Sequence, residues 1–486
     1  MIKKRNTWSM SIGVSERRFL KIVVAVALGA VMTVGTPVSA KVPPGATEVW
    51  ATDTLATIQA AVDSGGVVYF HPGTYNWTGI LSIRNSVEIT GPKPSGDFNT
   101  KTGTDNRIWQ VKITKRPTGI WDTMDSIVKI NCPDNTENVI ISNLDTECLS
   151  LGMCILLQGR GNSVKVANCR IKTVDDGYGF VTWQAGEVSV VIEDCHLEAG
   201  TTGFLYPDGT PPNTDCIVFG MSQHARVDVR NNIAVNHCET TDTSTAMEVV
   251  WHQNPNTQMS VSNNWLQSAG QGFAIFYGEG ACPIGTFNHN TVVGNRHFLH
   301  FMNSVGGGII KHNRFECGGD VSVYFQNSSD VTVQRNVFVG NVSAAAIGLY
   351  GNSSHNVLIA NDLSALNAGT AQILIEAECQ DNLCTRNVIG SLGSGASAGI
   401  QCYGDSNSFI RNDYTQSGIP GLATGSIPCI WLANLYDPDT EALIAEPENN
   451  LVFESDGLPP GTTTEEQVLD DSREQTGTTT NIVVGL

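Results

Sequence analysis

The feature that most constrains this chain is a short pattern that ends in Asn and recurs about every 25 residues. Alternating apolar residues and a pair of polar residues precede each Asn. The pattern ends at Asn232, Asn264, Asn290, Asn313, Asn336, Asn387 and Asn412. Asp362, Cys195 and Cys169 take the same place in three further copies. Successive copies lie 23 to 37 residues apart, and such a period is typical of stacked repeat architectures.

The repeats alternate apolar and polar residues with a period of two, which indicates strands and excludes helical repeats. Each unit has one short strand before the Asn and another about ten residues later, as in "FAIFY", "VSVYF" and "ILIEA". A chain that makes one turn per repeat stacks each strand on its equivalent about 4.8 Å away. We therefore expect an all-β parallel β-helix, a solenoid with turns of about 25 residues. An Asn at a fixed turn position tolerates left-handed geometry and can hydrogen-bond its copy, so we interpret the Asn column as structural.

The beginning of the repeat region predicts a cap. "TLATIQAAVDSGG" (Thr54 to Gly66) has the apolar spacing of an amphipathic helix, and Gly65 predicts its end. The open apolar end of a solenoid needs such a cover. Together, "TIQAAVDSGGVVYFHPGTY" and the Asn-ended repeats resemble the pectin-lyase-like superfamily of carbohydrate-active proteins over roughly residues 50 to 420. The resemblance implies a right-handed parallel β-helix. It leaves the activity open, because that superfamily contains lyases, hydrolases, C5-epimerases and proteins without known catalysis.

Three segments are expected along the chain. Residues 1–40 combine basic residues, an apolar stretch from Ile22 to Val34 and a "VSA" site, which predicts a secretory signal peptide and a secreted or periplasmic protein. Residues 41–436 form the β-helix domain. Residues 437–486 carry twelve acidic residues and one basic residue, with Pro, Gly and Thr runs. This composition predicts a partly disordered tail, with one capping strand in "NLVFE".

Charge and cysteine content limit the partners. The net charge of −19 argues against nucleic acid and anionic membranes as partners. We expect a monomer without a membrane anchor that binds a polysaccharide. All thirteen cysteines follow the leader, which suits an oxidising compartment. Cys169 and Cys195 fall on adjacent turns, so we expect either a disulfide or a simple apolar ladder there, and no redox catalysis.

Alignment of the second strand of each turn predicts outward-facing columns that are rich in aromatic residues. In "EVVWHQ", Val249 and Trp251 are expected to point into the coil, and Glu248 and His252 to point outward. Aromatic rings suit stacking against sugar rings, so four residues are candidate substrate-binding groups. These are Trp183, Phe276, Phe298 and Tyr350. The alternative is that a loop packs over this face and covers it.

Two chemistries fit these columns. A glycoside hydrolase needs two carboxylates across the scissile bond, and Glu248 could act with Asp215 or Glu279. A polysaccharide lyase or epimerase needs a base beside a uronic carboxylate, for which His300 or His252 is a candidate, with Tyr324 as the acid. No cofactor is certain, although Ca²⁺ could bind carboxylates near this face. Its candidate ligands are Asp175, Asp176, Asp208 and Asp215.

The sequence thus predicts a secreted polysaccharide-active protein, either a polysaccharide lyase or a glycoside hydrolase, that works in a groove on the β-helix face. The alternative is a β-helix protein that binds carbohydrate, or serves as a surface scaffold, without catalysis.

Overall fold

The computed structural model describes most of the chain after residue 40. The described ranges are 41–116, 125–149, 152–175, 177–201, 205–206, 209, 212–238, 244–269, 275–280, 285–294, 299–303, 307–393, 396–414, 428–436, 443–445, 447–453, 468–471 and 480–484. Val42–Leu486 make one compact unit. The predicted signal peptide, residues 1–40, lies outside the described residues.

Three long parallel sheets of 16, 11 and 14 strands run along this unit, and most turns of the chain contribute one strand to each sheet. The first sheet contains Thr47–Val49, Gly66–Phe70, Val87–Thr90, Asn138–Ser142, Ser163–Ala167, Ser189–Glu193, Arg226–Arg230, Gln258–Ser262, Gly285–Asn288, Gly308–Lys311, Val331–Gln334, Val357–Ile359, Leu383–Thr385, Ser408–Ile410, Leu451–Phe453 and Ile482–Val484.

The second sheet contains Gly73–Trp77, Val111–Lys115, Asp145–Cys148, Arg170–Thr173, His196–Ala199, Ile233–Asn236, Trp265–Ser268, Thr291–Gly294, Arg314–Cys317, Val337–Val342 and Asp362–Ala368. The third sheet contains Leu81–Ile83, Ser126–Cys132, Gly152–Gly159, Gly177–Ala185, Asp215–Gly220, Thr245–His252, Ile275–Gly280, Leu299–Met302, Val321–Gln326, Ala345–Tyr350, Ala371–Ile375, Ala398–Cys402, Ile430–Leu432 and Val468–Asp470. Two antiparallel pairs lie outside these sheets: Phe98–Asn99 with Thr104–Asp105, and Leu435–Tyr436 with Leu443–Ala445.

The interior of the coil is filled by side chains that stack on their equivalents in the next turn. Val164 pairs with Val190 in register, and both are buried. The rings of Phe301 and Phe325 stack with their centroids 5.1 Å apart. The period-two alternation places every second strand residue on this apolar side. Burial of each such side chain stabilises the fold by roughly 1.5–3 kcal/mol.

The Asn column forms a hydrogen-bonded ladder inside the turn between the first and second sheets. The Nδ2 of Asn264 donates to Oδ1 of Asn290 (2.9 Å) and to the carbonyl of Val229 (2.9 Å), and its backbone N–H donates to the same Oδ1 (3.0 Å). The structural role predicted for these residues is confirmed. One assignment was wrong by a residue: Asn361, rather than Asp362, continues the ladder from Asn336.

An α-helix, Leu55–Asp63, covers the start of the sheets. Its N-cap residue Thr54 accepts a hydrogen bond from the backbone N–H of Thr57 (3.2 Å), and its C-cap is Ser64. Ile58 and Val62 are fully buried in the main core. The predicted capping helix is confirmed.

The sheets continue beyond the expected domain boundary at residue 436. The strand predicted in "NLVFE" is present as Leu451–Phe453, and it pairs with Ser408–Ile410 on one side and Ile482–Val484 on the other. Asn450 hydrogen-bonds Asn481 beside these strands (backbone N to Oδ1, 2.9 Å). Parts of the acidic tail therefore belong to the last turns of the coil.

None of the eleven cysteines whose side chains the structure describes takes part in a disulfide. Cys169 and Cys195 stack inside the ladder, where each thiol donates to the carbonyl two residues before it (3.3 and 3.2 Å). The simple ladder, rather than a disulfide, is what the structure contains at this pair. Among the described residues, no helix is long and apolar enough to span a membrane.

Candidate functional site

The outer face of the third sheet carries the predicted site residues, but in a different register from the one expected. Glu248 pairs with Val218 on one side and Phe276 on the other, and this column continues through His300 and Tyr324. The sequence alignment instead placed Val250 beside Phe276. Glu248 therefore lies in the same column as His300, two strands away, a separation of about 10 Å.

The alternation in "EVVWHQ" breaks at Trp251, whose φ is +50°. Val249 points into the core as predicted. Trp251 does not, because the left-handed residue turns its side chain outward. It is 46% exposed and meets Trp183 edge to face, with ring centroids 6.1 Å apart. Residues at the same turn position in other repeats share this geometry, among them Gln184 and Asn327.

The same turn buries His252, which was expected to face outward. His252 is 1% exposed, and its Nε2 lies 3.0 Å from Nδ1 of the buried His224 in a shared hydrogen bond. Burial lowers the pKa of His252 to about 4 and that of His224 to about 3. Both imidazoles are therefore neutral at pH 7, and neither reaches the outer surface.

The carboxylates proposed for catalysis or calcium do not converge in the described part of the chain. Asp215 is fully buried and accepts hydrogen bonds from the backbone N–H (2.6 Å) and hydroxyl (2.7 Å) of Thr245. Asp175 lies in a left-handed turn, and its backbone N–H donates to Thr201. Asp176, Asp208 and Phe298 lie outside the described residues, as do the side chains of Phe276 and Glu279. No group of three His, Cys, Asp or Glu side chains in the described ranges could hold a metal ion, and the calcium site stays a prediction.

The two halves of the outer face differ. In the first half, outward-facing side chains are buried in a small apolar cluster, against which Trp183 packs: Met153, Leu156, Tyr178, Val181, Val218 and Val250. These outward-facing side chains are therefore shielded from solvent, and the covering loop stays a prediction. Farther along, the face carries an aromatic row. The ring of His300 meets Tyr324 edge to face at 4.5 Å, and Tyr324 stacks on Tyr350 at 4.3 Å.

A cavity of about 910 Å³ opens beside this row, and sequence reasoning missed it. Glu376 follows the strand Ala371–Ile375, one turn beyond Tyr350, and Glu378 lies two residues further on. Gln401 and Tyr403 from the next turn complete the lining, and their side chains share a hydrogen bond of 2.6 Å. The predicted columns stopped at Tyr350. Had the alignment been carried one strand further, through "ILIEA", it would have reached Glu376.

The environment of Glu376 favours its protonated form. Partial burial, followed by the nearby charge of Glu378, raises the pKa of the Glu376 carboxyl. The backbone N–H of Gly351 donates to this carboxylate (3.3 Å), which opposes the shift. Burial, and then the charge of Glu376, raises the pKa of Tyr324. The tyrosines are thus neutral hydrogen-bonding groups, and Glu376 has the character of a general acid.

Comparison with protein families identifies the architecture. Residues 249–415 match the family model described as "Right handed beta helix region". Together with the three parallel sheets, this match supports a right-handed parallel β-helix as the fold of the chain. The predicted fold class and the resemblance on which it rested are confirmed at the level of this fold. A search of curated protein sequences found no match.

Solved structures with a similar fold include three carbohydrate-active proteins. The A-module of the mannuronan C-5 epimerase AlgE6 from Azotobacter vinelandii is 15% identical, with 84% of this chain and 96% of that one covered and a TM-score of 0.47. The DFA-IIIase from Arthrobacter chlorophenolicus A6 in complex with DFA-III is 12% identical, with 76% of this chain and 96% of that one covered and a TM-score of 0.42. The catalytic unit of the GH87 α-1,3-glucanase from Streptomyces thermodiastaticus strain HF3-3 is 15% identical, with 85% of this chain and 69% of that one covered and a TM-score of 0.40. These similarities are too distant to assign an activity.

Proposed function

We propose that this β-helix protein acts on a polysaccharide and hydrolyses glycosidic bonds in the groove formed by Tyr324, Tyr350 and the cavity beside them. The observation that carries the proposal is the cavity itself. It places two carboxylates, Glu376 and Glu378, one turn from a pair of stacked tyrosines.

The tyrosine pair supplies the binding surface. The stacked rings of Tyr324 and Tyr350 lie on successive strands, so together they extend along the axis of the coil. Aromatic faces stack on the CH faces of sugar rings, and the phenol groups offer hydrogen bonds to sugar hydroxyls. A polysaccharide chain that follows the axis would pass from these rings to the carboxylates.

The carboxylates supply the chemistry. Glycoside hydrolysis requires an acid to protonate the leaving oxygen and a second carboxylate to act as base or nucleophile. Glu376, whose pKa is raised, fits the acid, and Glu378 fits the second group. Elimination from a uronate would need a cation to neutralise the substrate carboxylate. The described residues that line this cavity include no Lys, Arg or His. We therefore favour hydrolysis of a neutral polysaccharide over lyase chemistry at this site.

Replacement of Glu376 tests the assignment. Glu376→Gln keeps the shape of the side chain but removes the acid, and we expect it to lower the rate of reducing-end release by about 100-fold or more. Glu187→Gln is the matched control, because Glu187 is exposed in a turn away from the cavity. Unchanged turnover by the Glu376 variant would move the site elsewhere.

Glu248 remains a second candidate from the sequence. It lies five strands from Glu376 in the third sheet, about 24 Å along the axis, so the two cannot act on one bond. A Glu248→Gln variant in the same assay separates the two proposals. If the protein has a single site, only one of the two variants, Glu248→Gln or Glu376→Gln, should abolish turnover.

A carbohydrate-binding protein without catalysis is the alternative, and the exposed Trp251 favours it. Trp251 and Trp183 form an aromatic pair beside Gln223 and Gln253, whose side chains share a hydrogen bond of 3.0 Å. Such a patch fits sugar binding in the absence of an acid–base pair. Binding of a polysaccharide without product release would support this alternative.

We also propose that the protein works outside the cytoplasm, because residues 1–40 have the composition of a secretory signal peptide. The expected result is an exported chain whose N-terminus is Lys41, measured by mass spectrometry of the native protein. A retained chain that begins at Met1 would contradict it.

A further inference from the structure

The turn residue before each ladder position is a left-handed residue, and its chemistry changes halfway along the coil. In the first half this residue is Asn143, Asn168, Asp194, Asn231 or Asn263. In the second half it is His289, His312, Arg335, Ala360, Arg386 or Arg411. The backbone geometry is the same in both halves, with φ of 55° at Asn263 and 55° at Arg386. A difference in local geometry therefore does not explain the change of residue.

Arginine is an unfavourable choice at this position. L-residues avoid the left-handed region because Cβ crowds the following carbonyl oxygen, and Asn and Asp are the exceptions that tolerate it. Asn would therefore stabilise the turns at Arg335, Arg386 and Arg411 better than Arg does. Strained backbone of this kind is concentrated at functional positions. The three arginines are therefore candidates for a function beyond forming the turn.

These side chains form one exposed row, which we name the basic ridge: His289, His312, Arg335, Arg386 and Arg411. Successive turns are about 4.8 Å apart, so the ridge is about 24 Å long. The rings of His289 and His312 stack at 5.1 Å. No acidic side chain among the described residues forms a salt bridge with any of the three arginines. The guanidinium groups are therefore available to an external anion, on a protein whose net charge is −19.

The C-terminal end of the basic ridge contains a cavity. A shallow cavity of about 360 Å³ lies between Arg386 and Arg411, and its other walls are Ile359, Ile410, Phe453 and Thr385. Apolar side chains suit the CH face of a pyranose ring, while the two guanidinium groups suit carboxylates attached to such rings.

We infer that the basic ridge binds a linear acidic polysaccharide, a polymer that carries one carboxylate on each sugar unit. Its three guanidinium groups stand on the third, fifth and sixth of six successive turns, with Ala360 on the fourth, so neighbouring guanidinium groups are about 4.8 or 9.6 Å apart. Duplex nucleic acid carries one negative charge per about 1.7 Å, a density that the single row of charges does not match. The ridge lies at the turn between the first and second sheets, whereas the groove with Glu376 lies on the third sheet. The inference is therefore independent of the proposed hydrolase activity.

The test measures the affinity of the full protein for immobilised polygalacturonate at low ionic strength, with dextran and duplex DNA as reference polymers. The triple variant Arg335→Asn, Arg386→Asn, Arg411→Asn should bind polygalacturonate about tenfold more weakly or worse. Because Asn is the residue that the first half uses at these turns, we expect the variant to fold with an unchanged or higher melting temperature.

The matched control removes three exposed basic residues away from the ridge: Arg84→Asn, Lys93→Asn and Lys101→Asn. It should keep its affinity to within about twofold. Glu376→Gln should also keep it, which separates the ridge from the groove. Equal losses in the two triple variants, loss of binding in Glu376→Gln, no binding by the wild type, or tighter binding of duplex DNA than of polygalacturonate would each overturn the inference.

Discussion

At the scale of single residues, the pair His224 and His252 shows how burial fixes a protonation state. The backbone N–H of Asn254 donates to Nδ1 of His252 (3.3 Å), so the proton of His252 is on Nε2 and is donated to Nδ1 of His224. A proton added to either ring would break this chain of hydrogen bonds inside the turn. Burial lowers the pKa of both imidazoles, and the neighbouring charge of His252 lowers that of His224 further.

This pair predicts a loss of stability in mild acid. The folded pKa of His252 is about 4 and its ordinary value is 6.5, so the unfolded chain takes up a proton first as the pH falls. The contribution of His252 to the free energy of unfolding is fully present above pH 6.5. It declines as the pH falls toward 4, by up to about 3 kcal/mol. Melting temperature measured against pH should show a flatter decline for His252→Gln. His355→Gln, at an exposed histidine, should keep the wild-type slope; identical slopes for all three proteins would contradict the assignment.

The residues of "EVVWHQ" also show what a strand pattern leaves out. Period-two alternation predicted Val249 correctly and misplaced Trp251 and His252, because one left-handed residue reverses the sides that follow it. Trp has no preference for such geometry, so its own identity gave no warning. The turn is set instead by the stacking of equivalent residues such as Gln184 and Asn327.

At the scale of elements, the Asn ladder joins the strands of successive turns. Asn336 makes four side-chain hydrogen bonds, two from Nδ2 to Ile310 and Asn361 and two to Oδ1 from Asn313. All of these groups are buried, so the loss of one partner leaves the others without compensation from water.

Asn336→Ala should therefore lower the free energy of unfolding by roughly 3–5 kcal/mol, measured by thermal and denaturant unfolding. Asn341→Ala is the control. Asn341 is exposed in the neighbouring strand Val337–Val342, and its replacement should change stability by less than about 0.5 kcal/mol. Similar losses for the two variants would show that the ladder has no special role.

The repeat pattern was sufficient to predict these elements. A recurring Asn with alternating neighbours predicts the strands and their stacking, and the apolar spacing from Thr54 to Gly66 predicts the capping helix, because each depends on local pattern alone. The register between equivalent residues of successive turns was harder to predict. The step from Asn336 to Asn361 was misread by one residue, because Asn361 and Asp362 are adjacent and both fit the pattern. The third-sheet column was shifted by two at Glu248, because a longer turn separates it from Phe276. The cavity at Glu376 was missed because the predicted columns ended at Tyr350, one turn before it.

At the scale of the whole molecule, the β-helix presents two separate surfaces. The groove on the third sheet combines stacked tyrosines with two carboxylates, and the basic ridge follows the turn between the first and second sheets. The acidic groove suits a neutral sugar chain, and the ridge suits an acidic one. A protein with both could act on one polymer while held by another.

The most direct test of the central claim is the chemistry of the product. The protein is incubated with neutral and uronic polysaccharides, while reducing ends and the ultraviolet absorbance of unsaturated sugars are followed together. We predict new reducing ends from a neutral polysaccharide without unsaturated products, because Glu376 and Glu378 support hydrolysis. Unsaturated products would show elimination, and binding without any product would show a carbohydrate-binding protein; either result would contradict the assignment.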